Sequence, residues 1–178
     1  MPLYFAYGAN MDIADMAKRA PNSRPLGLAR LPCHRFIIMK EGYASVVRDP
    51  RRAVYGLLWD LALTDLRPLD KFEGVDRGLY TKIDQPVVVD GGAKRALVYV
   101  GRSVESGRPN AGYLEGVIAA AQELGLPAIY LGELNRWLQG GVTKADEKPA
   151  GPVAGVRPTH STPLERRERP KPDWEWKG

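Results

Sequence analysis

Extended apolar stretches crowd the first hundred positions of this chain, and its longest helical periodicities follow them. That order excludes a β-α-β repeat. It predicts an α+β domain whose small, mostly antiparallel sheet curls into a barrel with flanking helices. The first stretch organises the rest. Leu3-Tyr4-Phe5-Ala6-Tyr7 reads as a short buried strand, and Gly8 lets the backbone turn where a side chain would clash. Asn10 or Asp12 then caps a helix that carries Ile13, Met16 and Ala17 at helical spacing. Free backbone N–H groups at such a helix start make either an anion site or simply a tight strand-to-helix connection.

Leu26 to Met39 reads as extended, and Pro32 within it marks an edge strand or a bulge between two strands. Ala44 to Arg48 and Val54 to Leu61 read as two strands divided by the turn signal Asp49-Pro50-Arg51-Arg52. Thr64 reads as the cap of a short helix with Leu66, Leu69 and Phe72 inward, ended by Gly74. Thr81 to Val89 and Arg95 to Val100 flank Asp90-Gly91-Gly92 as a hairpin. Asn110 can cap a helix that places Tyr113, Val117, Ala120, Ala121 and Leu124 on one face before Gly125 and Pro127 close it. A last helix is predicted from Ala128 to Leu138, with Ile129, Leu134, Trp137 and Leu138 inward. Thereafter the composition shifts to Pro, Gly and charge, so the domain is expected over residues 1–140 and a Pro- and charge-rich tail over 141–178. Trp174 and Trp176 are expected to pin that tail onto the domain or onto the second subunit of a homodimer.

With 178 residues the chain suffices for one domain with a proper core. No run approaches the roughly 18 apolar residues of a membrane helix, and the start lacks a basic-then-apolar leader pattern. A cytoplasmic protein without a membrane partner is therefore expected. The net charge of +5 is spread along the chain, with Arg166 to Lys171 as the one basic cluster, so a nucleic-acid partner is not expected. Cys33 is the single cysteine, and neighbours on a strand point to opposite faces, so Cys33 and His34 read as a small buried thiol beside a surface imidazole. With His160 as the only other histidine, no metal is expected. Gly8, Gly91-Gly92 and Gly140-Gly141 fit no nucleotide fingerprint, and no cofactor is expected.

In Leu69-Asp70-Lys71-Phe72-Glu73-Gly74-Val75 an acid sits between the last apolar residue of a helix and the glycine that ends it. Partial burial against Phe72 and Val75 would raise its pKa, whereas taken alone it reads first as a surface glutamate. Two stretches together carry a resemblance. Leu3 to Asn10 resembles the Tyr-Gly-Ser-Asn signature of the γ-glutamylcyclotransferase family, and Leu69 to Val75 followed by Tyr80 is similar to its Leu-Asp-x-x-Glu-Gly-Val segment. Val54-Tyr55-Gly56-Leu57-Leu58-Trp59 resembles the strand before that acidic helix, and Tyr113 with Gly125-Leu126-Pro127 resembles the family's C-terminal helix. The likeness spans Leu3 to Leu138, with Ala9 standing where the family has Ser.

The resemblance implies a γ-glutamylcyclotransferase-like fold and an intramolecular reaction. The α-amine of a γ-glutamyl compound attacks its own γ-carbonyl, giving 5-oxoproline and the released amine or amino acid, with no cofactor. It implies Glu73 as general acid/base, and Tyr4, Phe5, Ala6, Tyr7, Gly8, Ala9, Asn10, Tyr80 and Tyr113 as substrate-binding residues. The alternative is a non-catalytic module binding γ-glutamyl or other small carboxylate ligands, against which the retained Glu73 argues.

Overall fold

The structure is a computed structural model that describes residues 1–140. The expectations for Trp174, Trp176, His160 and the basic cluster lie outside the described residues. Five strands close into a barrel in the order β1-β3-β2-β4-β5: β1 Leu3–Ala6, β2 Arg24–Ile38, β3 Ala44–Asp60, β4 Tyr80–Val89 and β5 Gly92–Gly101. β2 and β3 form one long hairpin, and β4 and β5 a second, running from Tyr80↔Gly101 to Val89↔Gly92. β2 meets β4 at Arg30↔Val88. The short β1 closes the remaining gap, antiparallel to β3 from Leu3↔Asp60 to Ala6↔Leu57 and parallel to β5 at Tyr4↔Leu97. Alternate residues of these strands, among them Phe5, Leu31, Val54, Leu58 and Val98, fill the interior. Gly56 lets β1 approach β3, since a Cβ there would run into the Ala6 carbonyl oxygen.

The segment read as two strands is one, β3, but its pairing lapses where the turn was expected. Register jumps from His34↔Arg48 to Pro32↔Ala53, leaving Asp49 to Arg52 opposite the single residue Cys33. Pro50 has no N–H for the ladder, so the chain stays extended there without pairing. Cys33 takes φ 58° at this bulge, which re-aims its neighbours. His34 is consequently buried, with Nδ1 2.8 Å from the Pro32 carbonyl oxygen, while Cys33 is the half-exposed member, the reverse of the expectation.

A 3-10 turn, Ala9–Met11, leads into α1, Ile13–Arg19. Its cap is Asp12, whose Oδ1 accepts from the Asp15 N–H at 2.8 Å; Asn10 is buried and turned elsewhere. α2, Leu63–Phe72, begins after Ala62, so Thr64 lies inside the helix instead of capping it. Asp65 anchors that start. It accepts from the Asn22 N–H at 2.8 Å, Asn22 Nδ2 at 2.9 Å and Ser23 Oγ at 2.8 Å, and Ser23 Oγ in turn accepts from the Ala62 N–H at 3.0 Å. Leu69 is buried as expected, but Phe72 is 47% exposed. α3, Tyr113–Glu123, starts after Gly112, and Asn110 instead donates to the Glu41 carbonyl. α4, Ala128–Leu138, buries Tyr130, Leu134 and Trp137, while Ile129 and Leu138 turn outward because the 3.6-residue period selects the 130/134/137 stripe. Among the described residues no helix is long and apolar enough to cross a membrane.

Candidate active site

A cavity of about 350 Å³ opens where the turn after β1 meets the end of α2 and the start of α3. The end of α2 is fixed by its own backbone. Glu73 N–H donates to the Leu69 carbonyl at 2.9 Å, and Gly74 at φ 66° reverses the chain so that Val75 N–H returns to Asp70 O at 3.0 Å. Asp70, one turn before Glu73, ties this end to the barrel: Oδ1 accepts from Tyr99 Oη and Oδ2 from Lys82 Nζ, each at 2.7 Å. With both sides held, the Glu73 carboxyl joins the cavity wall.

The first turn supplies its partner. Asn10 Nδ2 donates to Glu73 Oε1 at 2.6 Å and to Tyr4 Oη at 2.9 Å, and Asn10 Oδ1 accepts from Arg19 Nη1 at 2.8 Å. Burial pushes the Glu73 carboxyl up to about 7; the Asn10 hydrogen bond and the Arg19 charge pull the other way, and the Asp70 charge adds a further push upward. Tyrosines form much of the remaining wall. Burial raises Tyr4, Tyr7, Tyr80 and Tyr99 well above the ordinary phenol value and Tyr113 to about 12, so all stay protonated near neutrality. Tyr7 donates to the Tyr99 carbonyl, Tyr80 to the Ala44 carbonyl and Tyr99 to Asp70. Tyr113 Oη accepts from the Ala44 N–H at 3.2 Å, which leaves its own proton for another acceptor.

The fold brings Tyr4, Tyr7, Gly8, Ala9, Asn10, Glu73, Tyr80 and Tyr113 together on this one cavity. Phe5 and Ala6 do not line it. Both are buried in the barrel core, where the Ala6 carbonyl lies against Gly56. Gly8 has φ −120°, outside the left-handed region, and a Cβ there would come within 3.1 Å of Tyr113 Oη. Phe72, though partly exposed, lines the same cavity as Glu73 and lies under the Arg19 guanidinium, 4.1 Å from its ring centroid, and Val75 is partly buried against the core. Arg19, Tyr99, Tyr43 and Arg77 also line the cavity and were not identified from the sequence. The Asp15 to Arg19 spacing signals only a helix-surface ion pair, and nothing local distinguishes Tyr99 from any other aromatic on a strand.

A closed five-stranded barrel with a buried carboxyl hydrogen-bonded to the turn after its first strand defines the class as an enzyme of the γ-glutamylcyclotransferase fold. A solved γ-glutamyl cyclotransferase structure superposes with a TM-score of 0.70 at 28% identity, covering 75% of this chain and 86% of that one. The γ-glutamylcyclotransferase of Bos taurus is 30% identical over 144 residues, 75% of this chain and 77% of its own length. The Homo sapiens protein of that name is 29% identical over 139 residues, 72% and 74% of the two lengths. The AIG2-like family pattern matches residues 53–134. The chain belongs to the γ-glutamylcyclotransferase family and is an enzyme of that class.

Proposed function

We propose that this chain cyclises a γ-glutamyl compound to 5-oxoproline and releases the attached amine or amino acid, with Glu73 as the general acid/base. The observation that carries this reading is the 2.6 Å bond from Asn10 Nδ2 to Glu73 Oε1, which joins the turn after β1 to the acid across one cavity. Nucleophile and electrophile belong to the same substrate, so the protein's first task is to fold the glutamyl arm into attack geometry. The Ala9 N–H, like that of Ala44, meets the Tyr113 hydroxyl oxygen, so the proton of Tyr113 and the backbone at the start of the 3-10 turn together suit the substrate's α-carboxylate.

Glu73 takes a proton from the α-ammonium, the freed amine attacks the γ-carbonyl, and the C–N bond breaks as Glu73 returns that proton to the departing nitrogen; the attacking nitrogen then gives up its second surplus proton by the same route, leaving the lactam N–H while the amine departs as an ammonium. A glutamate at the ordinary value would be roughly 3.5 units too acidic for an amine near 7.8, a mismatch of about 5 kcal/mol. At about 7 the mismatch falls to about 1 kcal/mol. The test is 5-oxoproline release from γ-glutamyl amino acids, γ-glutamyl amines and glutathione, with Glu73→Gln alongside. Turnover of at least one of these should fall by about 10² to 10⁴ in the variant while ligand binding persists. Near wild-type turnover by Glu73→Gln would remove Glu73 from the reaction.

A further inference from the structure

We propose that Arg19 is a positioning residue for Glu73: by donating to Asn10 Oδ1 it dictates which end of the Asn10 amide meets the carboxyl. The inference rests on the reading of Glu73 as the acid/base. The two ends of a side-chain amide are nearly the same size and differ only in whether they donate or accept. Asn10 is 3% exposed, so water does not choose for it. A guanidinium has donors alone, hence the atom 2.8 Å from Arg19 Nη1 must be the oxygen, and the nitrogen is thereby turned to Glu73 Oε1 and Tyr4 Oη.

Arg19 is itself held from three directions. Nη2 reaches Asp15 Oδ2 at 3.0 Å, Nη1 reaches the Ala9 carbonyl at 3.4 Å, and the guanidinium stacks on Phe72 at 4.1 Å. Without it the amide is free to follow its neighbour. A protonated Glu73 would then donate to a flipped Oδ1, trapping the acid form, whereas the fixed Nδ2 donor keeps Oε1 an acceptor throughout the cycle. The transferred proton is accordingly carried on Oε2. The other charged or titratable groups around this carboxyl are Asp70 on its own helix, Arg77 from the loop that follows, Tyr4 and Tyr7 from β1 and the turn, Tyr43 from the turn between β2 and β3, Tyr80 from β4, Tyr99 from β5 and Tyr113 from α3. The substitutions of Arg19 leave every one of these residues unaltered in the sequence, so their influence is common to all the variants compared.

The experiment is a double-mutant cycle of Arg19→Met with Asn10→Ala, measured as steady-state kinetics over pH 5.5 to 9 on the purified full chain. Arg19→Met should lower kcat by about tenfold with KM changed less than about threefold, and should move the acid limb upward by about half a unit or more. In the Asn10→Ala background the same substitution should lower kcat by less than about twofold. Arg19→Lys, still cationic and donor-only, should restore most of the rate. Arg19→Gln, which can present Asn10 with either a donor or an acceptor, should follow Arg19→Met and takes its place should the Met variant unfold. A tenfold rise in KM at unchanged kcat would make Arg19 a substrate ligand and overturn the inference. So would equal losses with and without Asn10, which would mean that Arg19 acts independently of the amide. Glu73→Gln is run in parallel: its retention of turnover overturns the acid/base reading itself, while its inactivity beside an additive cycle overturns only the role given to Arg19.

Discussion

Asn10 and Glu73 stand 63 residues apart in the chain, yet the side-chain amide of one lies 2.6 Å from the carboxylate oxygen of the other. The bond ties the turn after β1 to the end of α2 across the cavity. Each consequence below can be measured.

The first concerns the pH–rate profile. On the proposed mechanism Glu73 must be ionised to accept the ammonium proton, and burial raises it to about 7. kcat/KM should therefore rise with pH through about 7 and fall again as a substrate amine near 7.8 loses the proton needed by the leaving nitrogen. An acid limb near the ordinary carboxylate value would contradict the burial of this group.

The second is a pH dependence of stability. The folded-state value of about 7 lies above the ordinary 4.5, so between these pH values the folded chain holds a proton that the unfolded chain has lost. Stability contributed by neutral Glu73 is complete below about 4.5 and is lost as pH rises through about 7, on the order of 3 kcal/mol. Denaturant titrations at pH 5 and pH 8 should show this drop in the wild type and a smaller one in Glu73→Gln. Equal pH slopes for the two proteins would contradict it.

At Ala9 the turn should tolerate a hydroxyl. The backbone and the Tyr113 hydroxyl make the polar side of the turn here, so Ala9→Ser should change substrate affinity less than tenfold, under about 1.4 kcal/mol. An isothermal titration of Glu73→Gln with and without the second substitution reads this directly, and a larger gain would give the hydroxyl a binding role.

The fourth prediction concerns Asp65. Burial alone would raise its carboxyl, but the donors from Asn22, Ser23 and Thr64 outweigh that and hold it below the usual range. Asp65→Ala leaves the Asn22 and Ser23 donors without their acceptor, and should lower stability by about 2 to 4 kcal/mol without altering the Glu73 acid limb. In the wild type this contribution is present above the ordinary carboxylate range and fades as pH falls through the lowered value. A loss below about 0.5 kcal/mol in thermal or chemical unfolding would show that the network is dispensable.

Local signals reached far into this fold. The last helix is bounded from Ala128 to Leu138 by Pro127 before it and glycines after it, as read from the sequence. Gly74 ends α2 as read, and Glu73 beside it lines the cavity. What stayed hidden depends on partners distant in the chain. Asp49 to Arg52 look like a turn because nothing local reveals that β2 bulges at Cys33 opposite them. Asn10 looks like a cap because a short polar residue before a helix usually is one; only α2, arriving 63 residues later, gives its amide another acceptor. Arg19 and Tyr99 belong to the site for the same reason. Their roles are set by Asn10 and Asp70, neither adjacent to them in the sequence.

The parallel seam between β1 and β5 sets the order in which the molecule can be assembled. β1 is made first, but its neighbours are strands ending at Asp60 and Gly101, and the barrel closes only at Tyr4↔Leu97. The two hairpins join residues near in sequence and form early, whereas β1 must wait for the most distant pairing in the barrel. Pulse-labelled hydrogen exchange during refolding should accordingly protect the β2-β3 and β4-β5 amides before those of Tyr4 and Phe5. Because the turn after β1 carries Asn10, which meets Glu73, the two walls of the cavity should come together only as the barrel closes.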